Sequence, residues 1–298
     1  MDLENNILKE KTLSVIIVSY NSQGYLKSCL DSLIAASPDL DYEIIVVDNN
    51  STDGSAALVK KKYAHVRLIQ NSSNEGFSKA TNQAIRFSSS AHILLLNSDC
   101  EVFGGSLEKM IDFASVHEKI AVLGPKILNS DGSLQLSCRK FPSFFTAAAH
   151  LIMSSLNPNN SFSNHYKMAH IDKSRPFAVD WVSGSCMLIK RAALADTGLF
   201  DENYFMYVED TDLCRRMWQK GWQVYYFPYS QVMHHVGKST NDGQTRACIR
   251  MQKSVLYYFL KYNKRSIKVL LTPFLLIVLG LKIVLTFLKD NLKKNKDI

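Results

Sequence analysis

Leu13-Ser-Val-Ile-Ile-Val-Ser19 opens the stretch that decides the fold. A continuous β-branched run of this kind predicts a strand buried on both faces. Leu26, Cys29, Leu30, Leu33 and Ile34 follow at helical spacing. Glu43-Ile-Ile-Val-Val-Asp48 reads as the next strand and Ser55 to Tyr63 as the next helix. Val66-Arg-Leu-Ile69 is a third strand, a helix runs through Ala80, Ala84 and Ile85, and His92-Ile-Leu-Leu-Leu96 is a fourth strand. Repeated β-α units predict an α/β fold: a mostly parallel sheet with helices on both faces.

Beyond Val122-Leu-Gly124 the pattern loosens. Residues 125–180, with an Asp131-Gly132 turn and Asn157-Pro-Asn-Asn160, read as loops with a hairpin and short helices. Regularity returns from Val179 to Leu194, in a helix starting near Asp210, and in a strand at Val224-Tyr-Tyr-Phe227.

The whole chain has 298 residues, 46% of them hydrophobic, with 13 Gly and 7 Pro, which is the composition of a folded protein, and its length suits one large α/β domain or a domain plus an appendage. Its net charge of +8 is uneven: Lys261 to Ile298 holds nine basic and two acidic residues, leaving residues 1–260 near neutral. That excludes a basic nucleic-acid-binding face on the main domain and points the tail toward an anionic surface. The six cysteines, Cys29, Cys100, Cys138, Cys186, Cys214 and Cys248, show neither a disulfide framework nor metal-ligand spacing. Met1 to Lys11 is polar and unlike a secretory signal, so the expected compartment is the cytoplasm.

Val269 to Leu288 is apolar apart from Thr272, Lys282 and Thr286. Lys261, Lys264, Arg265 and Lys268 precede it, and Lys289, Lys293, Lys294 and Lys296 follow. About twenty apolar residues are enough to span a bilayer. Basic residues on both sides give no orientation, and a helix lying in the interface with snorkelling lysines is as natural. The alternative is an ordinary core hairpin; the basic flanks favour an anionic membrane.

In open α/β sheets ligands bind beyond the carboxyl ends of the strands. Here these ends are Val18-Ser-Tyr-Asn21, Asp48-Asn-Asn-Ser-Thr-Asp-Gly54, Asn71 with Asn74-Glu-Gly-Phe77, and Asn97-Ser-Asp99. Each alone reads equally well as a turn or helix cap. Asp99 emerges from a buried strand and suits a hard cation such as Mg²⁺ or Mn²⁺, which takes oxygen ligands and bridges substrate phosphates. In Glu209-Asp-Thr-Asp-Leu-Cys-Arg-Arg216, Asp210 shares the inward side of a helix start and is placed to act as a general base. Asp212 pairs with Arg216 at i, i+4, and simple helix-dipole complementarity is the bland reading of Glu209 and Asp210. His234 and His235 are loop residues or one of them joins a metal or phosphate.

Taken together, the four strand ends, Asn82, Gly184-Ser-Cys-Met-Leu-Ile-Lys-Arg191, the 209–216 segment and His234-x-x-Gly-x-Ser239 resemble family 2 inverting glycosyltransferases with the GT-A (nucleotide-diphospho-sugar transferase) fold. The likeness is nearest to the bacterial rhamnosyltransferase-like branch and covers residues 12–260, split into a nucleotide-binding half (12–124) and an acceptor and catalytic half (125–243), with a membrane-associating tail at 261–298. The resemblance implies that Tyr20, Asn21 and Asp48 hold the base and ribose of a nucleotide-sugar donor, with Asn50, Asn74, Gly76, Asn97 and Ser98 also on the donor side. It implies that Asp99 holds Mg²⁺ or Mn²⁺ as the last residue of the DxD motif, whose first position is Asn97 here. His234, in preference to His235, would add a metal or diphosphate contact. Trp181, Gly184 and Glu209 would border a glycan or lipid-linked glycan acceptor, and Asp210 would be the base. The enzyme would then dock on the cytoplasmic face of the bacterial inner membrane, where a lipid-linked acceptor of O-antigen or capsule type resides.

Two alternatives remain. A sugar nucleotidyltransferase would need a glycine-rich phosphate loop that Ser19-Tyr-Asn-Ser-Gln23 does not provide. A non-catalytic glycan- or membrane-binding protein would have little reason to keep both Asp99 and Asp210.

Overall fold

The computed structural model describes residues 12–142, 161–235 and 243–294. The polar segment 1–11, the Asn157-Pro-Asn-Asn160 turn, and Gly237 and Ser239 of the last motif lie outside the described residues.

The first half alternates as its sequence predicts: β1 (Leu13–Ser19), α1 (Gln23–Ala36), β2 (Tyr42–Asp48), α2 (Ser55–Lys62), β3 (Arg67–Gln70), α3 (Phe77–Phe87) and β4 (His92–Leu96). Then come β5 (Cys100–Val102), α4 (Ser106–Val116), β6 (Ile120–Leu128), β7 (Leu134–Gln135), β8 (Cys138–Arg139) and α5 (Ser161–Tyr166). β9 (Phe177–Ala178), β10 (Trp181–Val182), β11 (Cys186–Lys190), α6 (Arg191–Thr197), α7 (Glu209–Gln219) and β12 (Gln223–His234) complete the domain. α8 (Gly243–Asn263), a 3₁₀ turn (Ile267–Leu271) and α9 (Thr272–Lys294) follow.

The main sheet runs β3-β2-β1-β4-β11-β6-β12-β5. Its first four strands are parallel. β11 is antiparallel to both β4 and β6, β12 is parallel to β6, and β5 is antiparallel to β12. This mixture has a functional consequence. Because β11 is reversed, its start, not its end, lies at the carboxyl edge of β4, with Cys186 opposite Leu96. Gly184 and Ser185 therefore reach the same edge as Asn97, whose amide donates to Ser185 O at 2.8 Å. The end of β12 arrives there too, pairing His234 with Cys100.

Strand periodicity explains the apolar runs. Val15 and Ile17 pack with Leu26, Leu30 and Leu33 of α1 on one face of the sheet. Ile16, with Ile45 and Leu95, packs on the other face in the cluster that holds Ala80, Ala84, Leu213 and Met217. The expected hairpin is present around Asp131-Gly132, joining β6 to β7. All six cysteines are free.

α8 runs continuously through residue 260 and returns to the domain at its end. Lys261 Nζ lies 2.6 Å from Asp212 Oδ1 and 2.7 Å from Asp201 Oδ2. Lys261, counted in the sequence with the basic flank of the tail, is thus held inside the domain. α9 packs back along α8, from Leu275 and Leu279 against Phe259 at one end to Asp290, which accepts from Thr245, at the other. Among the described residues, the segment Ile267–Asn291 is the one helix long and apolar enough to cross a membrane. Its outer face exposes Ile267, Leu270, Phe274, Ile277, Leu281 and Leu285, spaced three or four residues apart.

Candidate functional site

The polar strand ends converge as the sequence suggests, but they divide into residues that line the cleft and residues that hold its shape. Val18, Tyr20, Asn74, Gly76, Asn97 and Ser98 line a small cavity of about 70 Å³ beside Phe205 and Arg250. Asp48 is buried; Oδ2 accepts the Ser51 amide at 3.0 Å, while Oδ1 is buried without a partner. An unsatisfied buried carboxylate oxygen is costly unless a ligand donates to it. Asn21 braces the rim: Oδ1 accepts the Thr52 amide at 2.7 Å, and its own amide donates to Ser51 Oγ at 3.0 Å. Asn50, at φ 69°, is exposed in the same turn and does not line the cleft.

Asn49 is the residue that sequence reasoning passed over. Its Nδ2 donates to Asn74 Oδ1 at 2.9 Å and Gly76 O at 3.2 Å. Its Oδ1 accepts from Asn71 Nδ2 at 3.0 Å and the Glu75 amide at 3.1 Å. It therefore folds the 71–76 loop over the end of β2. Next to it, Gly76 has φ +83°, and a Cβ there would stand 2.5 Å from Phe205 O. The Phe77 amide donates to that same carbonyl at 2.7 Å. Only glycine lets the donor-side loop meet the segment leading into α7.

Asp99 and His234 form the second group. Asp99 is 1% exposed, and neither of its carboxylate oxygens has a hydrogen-bond partner. His234 Nε2 stands 3.3 Å from Asp99 Oδ1. His234 Nδ1 lies 2.9 Å from Gln135 Oε1, and Gln135 Nε2 donates onward to Asn129 Oδ1 at 2.8 Å. The chain assigns an imidazole proton to Nδ1, which leaves Nε2 as the ring atom that meets the carboxylate oxygen. Two acceptors facing each other repel unless a cation or proton lies between them. This donor set, one carboxylate and one imidazole, suits a divalent ion that draws its remaining ligands from substrate and water. Cys100 is close to both, but its thiol donates to Ser185 O at 3.3 Å and burial pushes its pKa well up, which keeps it a neutral packing group. His235 is turned elsewhere, its Nδ1 2.7 Å from Ser130 Oγ and its Nε2 3.1 Å from Glu101 Oε1. Of the paired histidines, His234 is the one facing Asp99.

The third group is at the start of α7. Tyr207 and Val208 both adopt left-handed backbone, at φ 71° and 70°. That is strained for a β-branched valine, and strain of this kind gathers at functional sites. The kink leads directly into Glu209 and Asp210. Asp210 Oδ2 accepts the Gly184 amide at 2.9 Å, and Oδ1 accepts the Thr211 amide at 2.6 Å. Burial raises the Asp210 pKa, against the lowering effect of these hydrogen bonds. Glu209 is buried with Oε2 unpartnered, and burial followed by the neighbouring Asp210 charge pushes it well above the usual range. Two residues later, Asp212 meets Arg216 at 2.8 Å, as the i, i+4 spacing predicts.

A cleft of about 1020 Å³ joins the second and third groups, lined by Asn97, His234, Gly184, Glu209, Asp210 and Trp181 and continuing to α8 and α9. Trp181 is held by its Nε1, which donates to Lys140 O at 2.9 Å. Arg139 lies over the Trp181 ring at 5.0 Å, another residue the sequence gave no signal for, because it falls in the irregular 125–180 region.

The chain is similar to known proteins in sequence and in fold. Residues 14–198 match the profile of the family described as Glycosyl transferase family 2, and residues 137–289 match Glycosyl transferase family group 2. The chain is 33% identical over 260 residues to the N-acetylglucosaminyl-diphospho-decaprenol L-rhamnosyltransferase of Mycobacterium tuberculosis, covering 83% of each. It is 28% identical over 256 residues to rhamnosyltransferase WbbL of Escherichia coli, covering 82% of this chain and 91% of that protein. Among solved structures, GalNAc-T7 with UDP, GalNAc and Mn²⁺ superimposes with a TM-score of 0.58 at 16% identity, over 84% of this chain and 48% of that one. Staphylococcus aureus TarS in complex with UDP gives 0.52 at 20% identity, over 84% of this chain and 65% of that one. At these identities the solved structures speak to the fold, which is GT-A-like.

Proposed function

This chain belongs to glycosyl transferase family 2, and from that premise we propose that it is a metal-dependent, inverting rhamnosyltransferase acting on a lipid-linked glycan. The observation that carries the reading is that His234, 3.3 Å from the buried Asp99, lines one cleft with the Asp210 carboxylate. The donor diphosphate belongs at Asp99 and His234, with its nucleoside over Tyr20 and Asp48. A bound Mg²⁺ or Mn²⁺ would stabilise the negative charge of the departing diphosphate. Asp210 takes the proton from the acceptor hydroxyl while that oxygen bonds to the anomeric carbon, and the bond from that carbon to the donor phosphate breaks. One in-line displacement of this kind inverts the anomeric centre. The Gly184 and Thr211 amides hold the carboxylate in place for the proton. Rhamnose as the sugar, and a sugar–diphosphate–polyprenol as the acceptor, are supported by the similarity to the mycobacterial enzyme.

The tail supports a membrane-docked enzyme lying on the cytoplasmic leaflet. α9 packs along α8, which carries Arg246, Arg250 and Lys253. Crossing the bilayer would draw those charges in with it, at a cost of about 2.5–3.5 kcal/mol each. Burying only the outer stripe of α9 in the interface avoids that cost, and Lys264, Arg265 and Lys289 then meet anionic headgroups.

The deciding experiment is turnover of dTDP-rhamnose, UDP-glucose, UDP-galactose, UDP-N-acetylglucosamine and GDP-mannose, with and without Mn²⁺, in the wild type and Asp210→Asn. Mn²⁺-dependent release of dTDP from dTDP-rhamnose, lost in the variant, is expected. Turnover of a different donor would reassign the sugar, and pyrophosphate release would favour a nucleotidyltransferase.

A further inference from the structure

The cleft holds two guanidinium groups that the transfer chemistry does not use. Arg139 stacks on Trp181 and Tyr166, at 5.0 and 6.0 Å from the ring centroids, and its Nε is buried with no hydrogen-bond partner. Arg215 lies 3.9 Å from the Tyr262 centroid and donates from Nη1 to Tyr258 Oη at 3.0 Å. Both line the same cleft as Asp210, and among the described residues neither forms an ion pair with a carboxylate. Elsewhere in this domain a buried cation has its anion, as Arg216 has Asp212. The Arg139 charge is felt by Asp210, but among the described residues no carboxylate comes within ion-pair distance of either guanidinium, and two such cations in a partly buried cleft mark a place for an anion. Stacking on aromatic rings fixes the guanidinium planes, which suits bidentate recognition of phosphate oxygens. Beyond them the cleft wall turns apolar, with Val255 and Phe259 of α8 and Leu275 of α9.

We propose that Arg139 and Arg215 seat the diphosphate of a polyisoprenoid-linked acceptor, and that its first isoprene units lie along Val255, Phe259 and Leu275. The inference rests on the transferase reading above and gives that reading a second phosphate site, separate from the donor diphosphate at Asp99 and His234. It also gives the α8–α9 hairpin a role beyond anchoring. The hairpin is the wall that carries the lipid from the membrane to the base.

The test is binding of farnesyl diphosphate to the full chain in detergent, read by the fluorescence of Trp181 and Trp218 and performed in EDTA so that no cation serves the donor position. The wild type is expected to bind farnesyl diphosphate and to bind farnesol at least tenfold more weakly. Arg139→Gln and Arg215→Gln should each weaken farnesyl diphosphate about tenfold, the size of one charge-assisted hydrogen bond. Binding of dTDP or UDP with Mn²⁺ should be unchanged in both variants, which also shows that they fold. Arg139→Lys keeps the charge and serves if Arg139→Gln does not fold; it should fall between the two. Wild-type affinity in Arg215→Gln together with either Arg139 variant overturns the assignment, as does farnesol binding as tightly as farnesyl diphosphate. A parallel loss of nucleotide binding in folded variants gives the guanidiniums to the donor and also overturns it. Since no turnover is needed, a failure of the transferase reading would appear separately, as lipid binding without sugar transfer.

Discussion

The Gly184 amide donates to Asp210 Oδ2 at 2.9 Å, tying the start of β11 to the start of α7 across 26 residues of sequence. The carboxylate is thereby fixed at the sheet edge where the strand ends meet, with Thr211 holding the other oxygen. Asp210→Asn keeps the size of the side chain and one of its two amide hydrogen bonds while removing the basicity. Its kcat is expected to fall by about 10²- to 10⁴-fold with donor KM little changed. Steady-state kinetics on dTDP-rhamnose reads both.

The pH dependence follows from the same residue. Burial raises the Asp210 pKa, so the base is protonated, and the enzyme slow, up to a higher pH than an ordinary aspartate would allow. Thr211→Val removes the hydroxyl that donates to Oδ1 at 3.2 Å. Loss of a donor to the charged form raises the pKa further, so the acidic limb of kcat/KM should move to higher pH in this variant. A limb that stays put, or moves down, would mean that another group is the base.

Glu209 titrates against stability. Its pKa is pushed up by burial and by the Asp210 charge, so the folded state prefers the neutral acid. Stability from this group is full below the unfolded value near 4.5 and declines as pH rises toward the higher folded value. Glu209→Gln removes the decline. Melting temperatures of wild type and variant should coincide near pH 4.5 and separate in favour of the variant by pH 8.

The imidazole chain predicts a graded effect on metal. Asp99→Asn and His234→Ala remove ligands. Gln135→Leu removes no ligand, but takes away the acceptor that faces Nδ1 and the donor to Asn129. Losing an outer partner of this kind weakens metal affinity about 10–100-fold. Mn²⁺ titration by electron paramagnetic resonance should show this loss, and no loss for Cys100→Ala, whose thiol is engaged with Ser185 O.

Much of this was legible in the chain, for identifiable reasons. The alternating half announced itself because β1, β2 and β4 are buried on both faces and α1 and α3 each have one apolar stripe. The candidate base and metal residues were legible because carboxylates leaving buried strands or opening helices are conspicuous. Asn49 was hidden by its neighbours, since one more amide in Asp48-Asn-Asn-Ser51 looks like turn chemistry, whereas its four hydrogen bonds are to residues 22–27 positions away. Arg139 and Gln135 were hidden because they lie on two-residue strands, too short for any periodicity. Lys261 was misread as part of the tail because charge counting cannot see Asp201 and Asp212 waiting for it.

That last misreading changes how membrane docking has to be tested. Deleting the chain from Lys261 onward removes one of the two cations paired with the fully buried Asp212, together with the Tyr262 hydroxyl that donates to it, and leaves Arg216 as its remaining cation among the described residues. Asp201 makes the same point from the other partner: although its burial acts in the opposite direction, Lys261 and Asn203 hold its pKa down to about 2. Its contribution is present above the unfolded value near 3.8 and is lost as pH falls toward 2. A truncated protein would therefore be destabilised whatever the tail does, and its loss from the membrane fraction would not report on docking. Replacing Phe274, Ile277, Leu281 and Leu285 by serine instead changes only exposed positions of α9 and keeps Lys261 in place. The fourfold variant should melt within a few degrees of wild type and fail to sediment with vesicles containing anionic lipid, while wild-type sedimentation should weaken as salt is raised. Undiminished sedimentation of the folded variant would remove the outer face of α9 as the docking surface.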